Sequence, residues 1–125
     1  MCKILMPINP CYVEEILSGR KKYEYRKIKP KRNDIEKIII YSTSPVKKVV
    51  AEAEVEAIIE ETPEKIWELT KDYSGITKRS YYNYYKNKEK AIAYKLGRVK
   101  KYKEPKNLSE FGINYIPQSF VYLGN

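Results

Sequence analysis

The sequence predicts an α+β fold: one mixed, mostly antiparallel, barrel-like sheet with flanking helices. Three observations carry this. From residue 49 to 59, apolar positions alternate with Glu52, Glu54 and Glu56, the pattern of a long strand buried on one face. Asn9-Pro10 and Thr62-Pro63 each pair a capping side chain with proline at the first helical position, so helices begin there. The five or six strand-like runs show no regular strand–helix–strand alternation, which argues against a doubly wound parallel sheet.

The elements follow in order. Residues 3–8 read as a first strand. Val13, Ile16 and Leu17 then recur at i, i+3 and i+4, the buried stripe of a short helix that Gly19 ends. Residues 22–27 form a second strand, on which Glu24 and Arg26 share one face while Tyr23 and Tyr25 share the other. Residues 27–34 make a basic loop with four positive side chains, ahead of the apolar run Ile38-Ile39-Ile40-Tyr41, a strand buried on both faces. Ser42-Thr43-Ser44-Pro45 is a turn. In the long strand, Val49, Ala51, Ala53, Val55, Ala57 and Ile59 are expected on one face.

The second helix points Ile66, Trp67 and Leu69 inward, and Ser74-Gly75-Ile76 breaks it. Thr77 caps a third helix running to about Tyr85, with Tyr81 and Tyr85 on its core face. A long strand over 91–102, a helical turn over 108–111 and a closing strand over 119–123 complete the chain. No repeat or low-complexity linker divides it, so residues 1–125 are expected to form one domain.

Composition removes whole classes of chemistry. There is no histidine, which excludes Ser-His-Asp and Cys-His nucleophilic systems and imidazole metal sites. Two cysteines, Cys2 and Cys11, cannot build a thiolate zinc centre or a secreted disulfide framework. No metal site and no cofactor are expected, since Glu52, Glu54 and Glu56 read as strand carboxylates paired with lysines such as Lys95, and no Gly-rich phosphate loop is present. With no run of about 18 apolar residues and no signal peptide, a cytoplasmic location off the membrane is expected. Lys and Arg number 25 against 16 Asp and Glu, a net +9 that favours a polyanionic partner, nucleic acid first.

Glutamate and arginine together in a strand are unusual, because strands favour β-branched and aromatic residues. Glu24 and Arg26 therefore read either as cleft groups or as a structural ion pair. In the first case Glu24 accepts from an exocyclic amine, or acts as a base, while the Arg26 fork holds a phosphate or carbonyl oxygen. Ser42, Thr43 and Ser44 offer hydroxyls and turn amides to an anion. Lys78 and Arg79 stand at the third helix start, where positive side chains are unfavourable without a nearby anion. Tyr82 and Tyr84 are left to stack on bases.

Gly19-Arg20-Lys21-Lys22-Tyr23-Glu24-Tyr25-Arg26 fits the pattern G-x-K-x-x-E-x-R and resembles the signature of ASCH domains, a branch of the PUA-like superfamily. The preceding Pro10 helix closing in Ile16-Leu17-Ser18-Gly19, the Tyr41-Ser42-Thr43-Ser44-Pro45-Val46 segment and Pro117-Gln118-Ser119-Phe120 are similar to that family in the same order. The resemblance implies a small PUA-like β-barrel with helices over its mouth and a cleft at the signature strand. It also implies RNA, another nucleic acid or a nucleotide-like molecule as partner, with Lys21, Glu24 and Arg26 in the cleft and Gln118 and Ser119 reading a base. Lys29, Lys31 and Arg32, with Lys78 and Arg79, would hold the backbone.

Some ASCH domains are enzymes, so catalysis by Lys21 and Glu24 is the alternative to binding. The enzyme would be a metal-independent ribonuclease or an amidohydrolase of acetylated nucleosides. In the amidohydrolase type the lysine activates a threonine three residues on. This chain carries Glu24 there, and Asp72 is a weak substitute for that type's acid. Oligomeric state is left open.

Overall fold

The computed structural model describes residues 2–124, and the elements fall close to expectation. β1 (Cys2–Ile8) leads to α1 (Pro10–Leu17), β2 (Tyr23–Arg26), β3 (Ile35–Ser42) and β4 (Lys48–Glu61). Next come α2 (Pro63–Thr70), α3 (Lys78–Tyr84), β5 (Ala91–Lys106) and β6 (Val121–Leu123). Two 3-10 turns, Lys71–Tyr73 and Leu108–Phe111, join α2 towards α3 and β5 towards β6.

All six strands lie in one sheet, ordered β2-β5-β4-β3-β1-β6. β1 and β3 run parallel, while β1–β6, β2–β5, β3–β4 and β4–β5 are antiparallel. This is the mixed, mostly antiparallel α+β architecture expected. Among the described residues no helix is long and apolar enough to cross a membrane, and Cys2 and Cys11 are free thiols.

Local chemistry sets the helix ends. The Asn9 side chain accepts from Cys11 N–H, the Thr62 hydroxyl from Lys65 N–H and the Thr77 hydroxyl from Ser80 N–H. Gly19, at φ +85°, turns the chain from α1 into β2, a left-handed conformation that glycine adopts without steric cost.

Packing divides into three layers. Val13 and Ile16 of α1 cover Ile4, Met6, Ile38, Ile40, Ile92 and Tyr94 on one face of the sheet. Across β2 and β5, α2 and α3 bring Ile66, Trp67, Tyr81 and Tyr85 against Tyr25, Ala91 and Ala93. Burial of each such large side chain stabilises by about 1.5–3 kcal/mol, and edge-to-face contacts such as Tyr25–Tyr81, 5.0 Å between ring centres, add to it. Leu5, Ile39, Tyr41 and Val49 form a third cluster beneath Leu108 and Phe111.

Two expectations are corrected. The alternating residues of β4 do not share one face. Val49 joins the Leu5 cluster, Ala51 and Ala53 join the α1 layer, Ile59 packs on the α2–α3 layer and Ala57 is exposed. Extra residues on β4, at Val50 against β3 and between Val55 and Ala57 against β5, invert the strand's parity, since each turns later side chains to the opposite face. Leu69 is not inward but 55% exposed. Thr70 takes the buried position instead, its hydroxyl meeting Tyr25 Oη at 2.7 Å.

Candidate functional site

Lys21 is a charged residue buried in the link between α1 and β2, only 3% exposed. Its Nζ donates to the Ser74 carbonyl at 2.8 Å and lies 3.8 Å from Glu24 Oε1. It also stands over the Tyr25 ring, 4.6 Å from its centre, and 5.2 Å from that of Tyr12. An isolated antiparallel bridge between Lys21 and Ser74 and the Lys22 N–H bond to the Tyr73 carbonyl, 2.8 Å, hold the segment in place.

Glu24 is 4% exposed and lies between two cations. Its Oε2 is 3.1 Å from Arg26 Nη2, which donates also to the Pro7 carbonyl at 2.8 Å. Arg26 Nε is buried with no hydrogen-bond partner among the described residues, as is the hydroxyl of Tyr94, which pairs with Glu24 across β2–β5.

These three side chains line a partly enclosed cavity of about 380 Å³, completed by Ile8, Asn9, Tyr12, Tyr25, Ile76, Ser80, Asn83 and Tyr84. Two cations against one carboxylate leave its wall net positive. The volume falls within the range of small-molecule sites. A wider, open groove of about 590 Å³ runs past Glu15, Arg20 and Asp72, but Arg20 is there bonded to Glu15 at 2.7 Å on the surface. The cavity lined by Lys21, Glu24 and Arg26 is the better candidate, because its charges are largely shielded from water and so act more strongly.

Burial lowers the Lys21 ammonium below the ordinary lysine range; Glu24 opposes this and Arg26 adds to it. Burial likewise pushes the phenol of Tyr25 up to about 12 and raises those of Tyr12 and Tyr84.

The structure brings Lys21, Glu24 and Arg26 together, and does not bring the other expected ligand residues into the lining. Ser42 is buried at the end of β3 and Ser44 exposed; Thr43 touches the rim through its N–H bond to the Ile8 carbonyl, 3.1 Å. Gln118 and Ser119 are exposed in the loop before β6. Asp72 lies on the open groove, outside the cavity. Among the expected backbone contacts, Arg32 is chelated by Asp34 and Lys29 lies 4.0 Å from Glu60, while Lys31, Lys78 and Arg79 are exposed. Of the strand carboxylates, Glu52 bonds Lys37 at 2.7 Å and Glu56 faces Lys95 at 3.8 Å.

Sequence reasoning missed Asn9, Tyr12, Ser80 and Asn83. Ser80, Asn83 and Tyr84 carried a legible signal: they recur at i, i+3 and i+4, a polar stripe beside the Tyr81–Tyr85 core face.

The fold is that of an ASCH domain. The crystal structure of ASCH from Zymomonas mobilis superposes with a TM-score of 0.85 at 27% identity, over 98% of this chain and 87% of that one. A single-substitution variant of ZmASCH gives 0.87 at 26%, over 98% and 90%. The chain belongs to the family described as Domain of unknown function (DUF365), which matches residues 1–118. The chain is 32% identical over 87 residues to the ASCH domain-containing ribonuclease of Zymomonas mobilis, covering 70% of this chain and 59% of that protein. It is 37% identical over 91 residues to the large ribosomal subunit protein uL22 of Ureaplasma parvum, covering 73% of this chain and 29% of the relative. It thus spans only part of the length of these curated relatives.

Proposed function

We propose that this chain is an RNA-binding ASCH domain that takes a nucleotide unit of RNA into the cavity lined by Lys21, Glu24 and Arg26. One observation carries the reading: one short segment places two buried charges, Lys21 and Glu24, and the half-buried Arg26 in the wall of a single cavity, leaving it net positive. Charges are rarely buried without a partner or a task. Here the two cations hold the carboxylate, and Ser80, Asn83 and the phenols of Tyr12 and Tyr84 supply neutral donors and acceptors to a base or ribose. Lys31, Lys78 and Arg79 would meet phosphates outside, and the loop at Ser42, Thr43 and Ser44 would border the rim. The net charge of +9 and the likeness to a protein named as a ribonuclease support RNA as the polyanion.

Fluorescence anisotropy with a labelled RNA oligonucleotide tests this. Affinity should fall steeply with salt, with a slope of about 0.7 per phosphate neutralised, and Lys21→Ala should weaken it at every salt concentration. RNA binding unaltered in Lys21→Ala would remove the cavity from the account.

The second reading is cleavage in the same cavity, favoured by the ribonuclease relative and by the buried amine of Lys21. Glu24 would accept the proton of a ribose 2′-hydroxyl as that oxygen attacks the adjacent phosphorus. Arg26 would stabilise the extra charge while the P–O5′ bond breaks and the Lys21 ammonium protonates the departing 5′-oxygen, giving a cyclic phosphate and a 5′-hydroxyl.

A further inference from the structure

Gly75 lies in the link between the 3-10 turn Lys71–Tyr73 and α3, at φ +63°. A Cβ built there would stand 2.4 Å from Lys21 Cβ, 2.7 Å from Cγ and 3.0 Å from Cδ. The link therefore lies flat along the lysine stem, and this contact puts the Ser74 carbonyl 2.8 Å from Nζ. Glycine is needed for two separate reasons, the left-handed backbone and the missing space. Gly112, at φ +75°, meets only the first: nothing lies within 4 Å of a Cβ added there.

We propose that Gly75 is the positioning residue for Lys21. Its bare backbone lets the 74–76 link close over the aliphatic stem, so that the amine stays at the cavity wall against Ser74, Glu24 and the Tyr25 ring. Any side chain at position 75 would push the link off the stem, withdraw the Ser74 carbonyl and free the amine to swing outward. The consequence for function rests on Lys21 serving the cavity as proposed above. The measurements below use no RNA, so the two readings can fail separately.

Reductive methylation of the whole protein, read lysine by lysine by mass spectrometry, tests the assignment. In wild type, Lys21 should be protected relative to exposed lysines such as Lys100. In Gly75→Ala it should react roughly tenfold faster, because relieving the overlap opens the link. Gly112→Ala, which carries the backbone strain without the contact, should leave Lys21 protected. Equal protection of Lys21 in wild type and a folded Gly75→Ala overturns the assignment, as does equal loss of protection in both glycine variants. Should Gly75→Ala not fold, hydrogen exchange in Lys21→Met decides. The amides of Lys22 and Ser74 should exchange roughly fivefold faster once the ammonium no longer holds the link. Unchanged exchange there overturns the assignment.

Discussion

Arg26 ties Glu24 to the opposite side of the sheet: its Nη2 lies 3.1 Å from the Glu24 carboxylate and 2.8 Å from the carbonyl of Pro7 in β1. β2 and β1 stand far apart in the strand order, with β5, β4 and β3 between them. The sheet therefore curls enough for a side chain to span from one to the other, in keeping with a barrel-like fold. The same guanidinium lines the cavity, so the site reading and the ion-pair reading of this strand describe one group.

Arg26→Ala should accordingly lose both properties. It leaves Glu24 with one cation and takes a donor from the Pro7 carbonyl, and urea unfolding should show a loss of about 3 kcal/mol. Arg26→Lys should recover only part, since a single ammonium cannot repeat the fork. A loss below about 1 kcal/mol in Arg26→Ala would show that the tie is structurally idle.

Lys21 gives stability a particular pH dependence. Its folded pKa lies below the unfolded value, so in the interval between them the unfolded chain binds more protons. Burying the charged amine thus destabilises the fold at low and neutral pH, and that cost is relieved as pH rises through the folded pKa towards the unfolded one, about 10.4. Relative to Lys21→Met, wild type should gain stability between neutral pH and that limit. Parallel stability curves would contradict the burial of the amine.

The tyrosines act with the opposite sign at higher pH. Burial pushes Tyr25 and Tyr94 up to about 12 and Tyr81, Tyr85 and Tyr102 further. Their unfolded forms ionise near 10, so stability is lost as pH rises through that value. Absorbance titration should separate an early exposed group from a late group that ionises only as circular dichroism is lost. One smooth transition near 10 would refute the buried cluster.

Two positions of α2 should diverge sharply. Ile66→Ala, in the aromatic layer, should cost about 3 kcal/mol, whereas Leu69→Ala should cost under about 0.5 kcal/mol by chemical denaturation. Comparable losses would place Leu69 inside.

These elements also show what was legible in the sequence. The starts of α1, α2 and α3 were, because a cap is a local contact among neighbouring residues. Lys21, Glu24 and Arg26 were as well, since one short segment positions all three. The face of β4 was not, because its parity depends on how β3 and β5 pair with it, and no local pattern records those register shifts. Leu69 followed helical spacing correctly but lost to Thr70, whose place is set by the Tyr25 hydroxyl 45 residues away in sequence. The polar stripe Ser80, Asn83 and Tyr84 of α3 was legible, but its partner was not, because only folding brings it to the same cavity as Lys21.

The most direct test of the account is a mass-spectrometric assay of purified protein with single-stranded RNA and modified nucleosides including acetylcytidine, run beside Lys21→Ala and Glu24→Gln. The account predicts salt-sensitive retention of RNA by the wild type that Lys21→Ala loses, with any product formed by wild type absent from both variants. Wild-type protein that neither retains nor alters RNA, or variants that behave as wild type does, would contradict it.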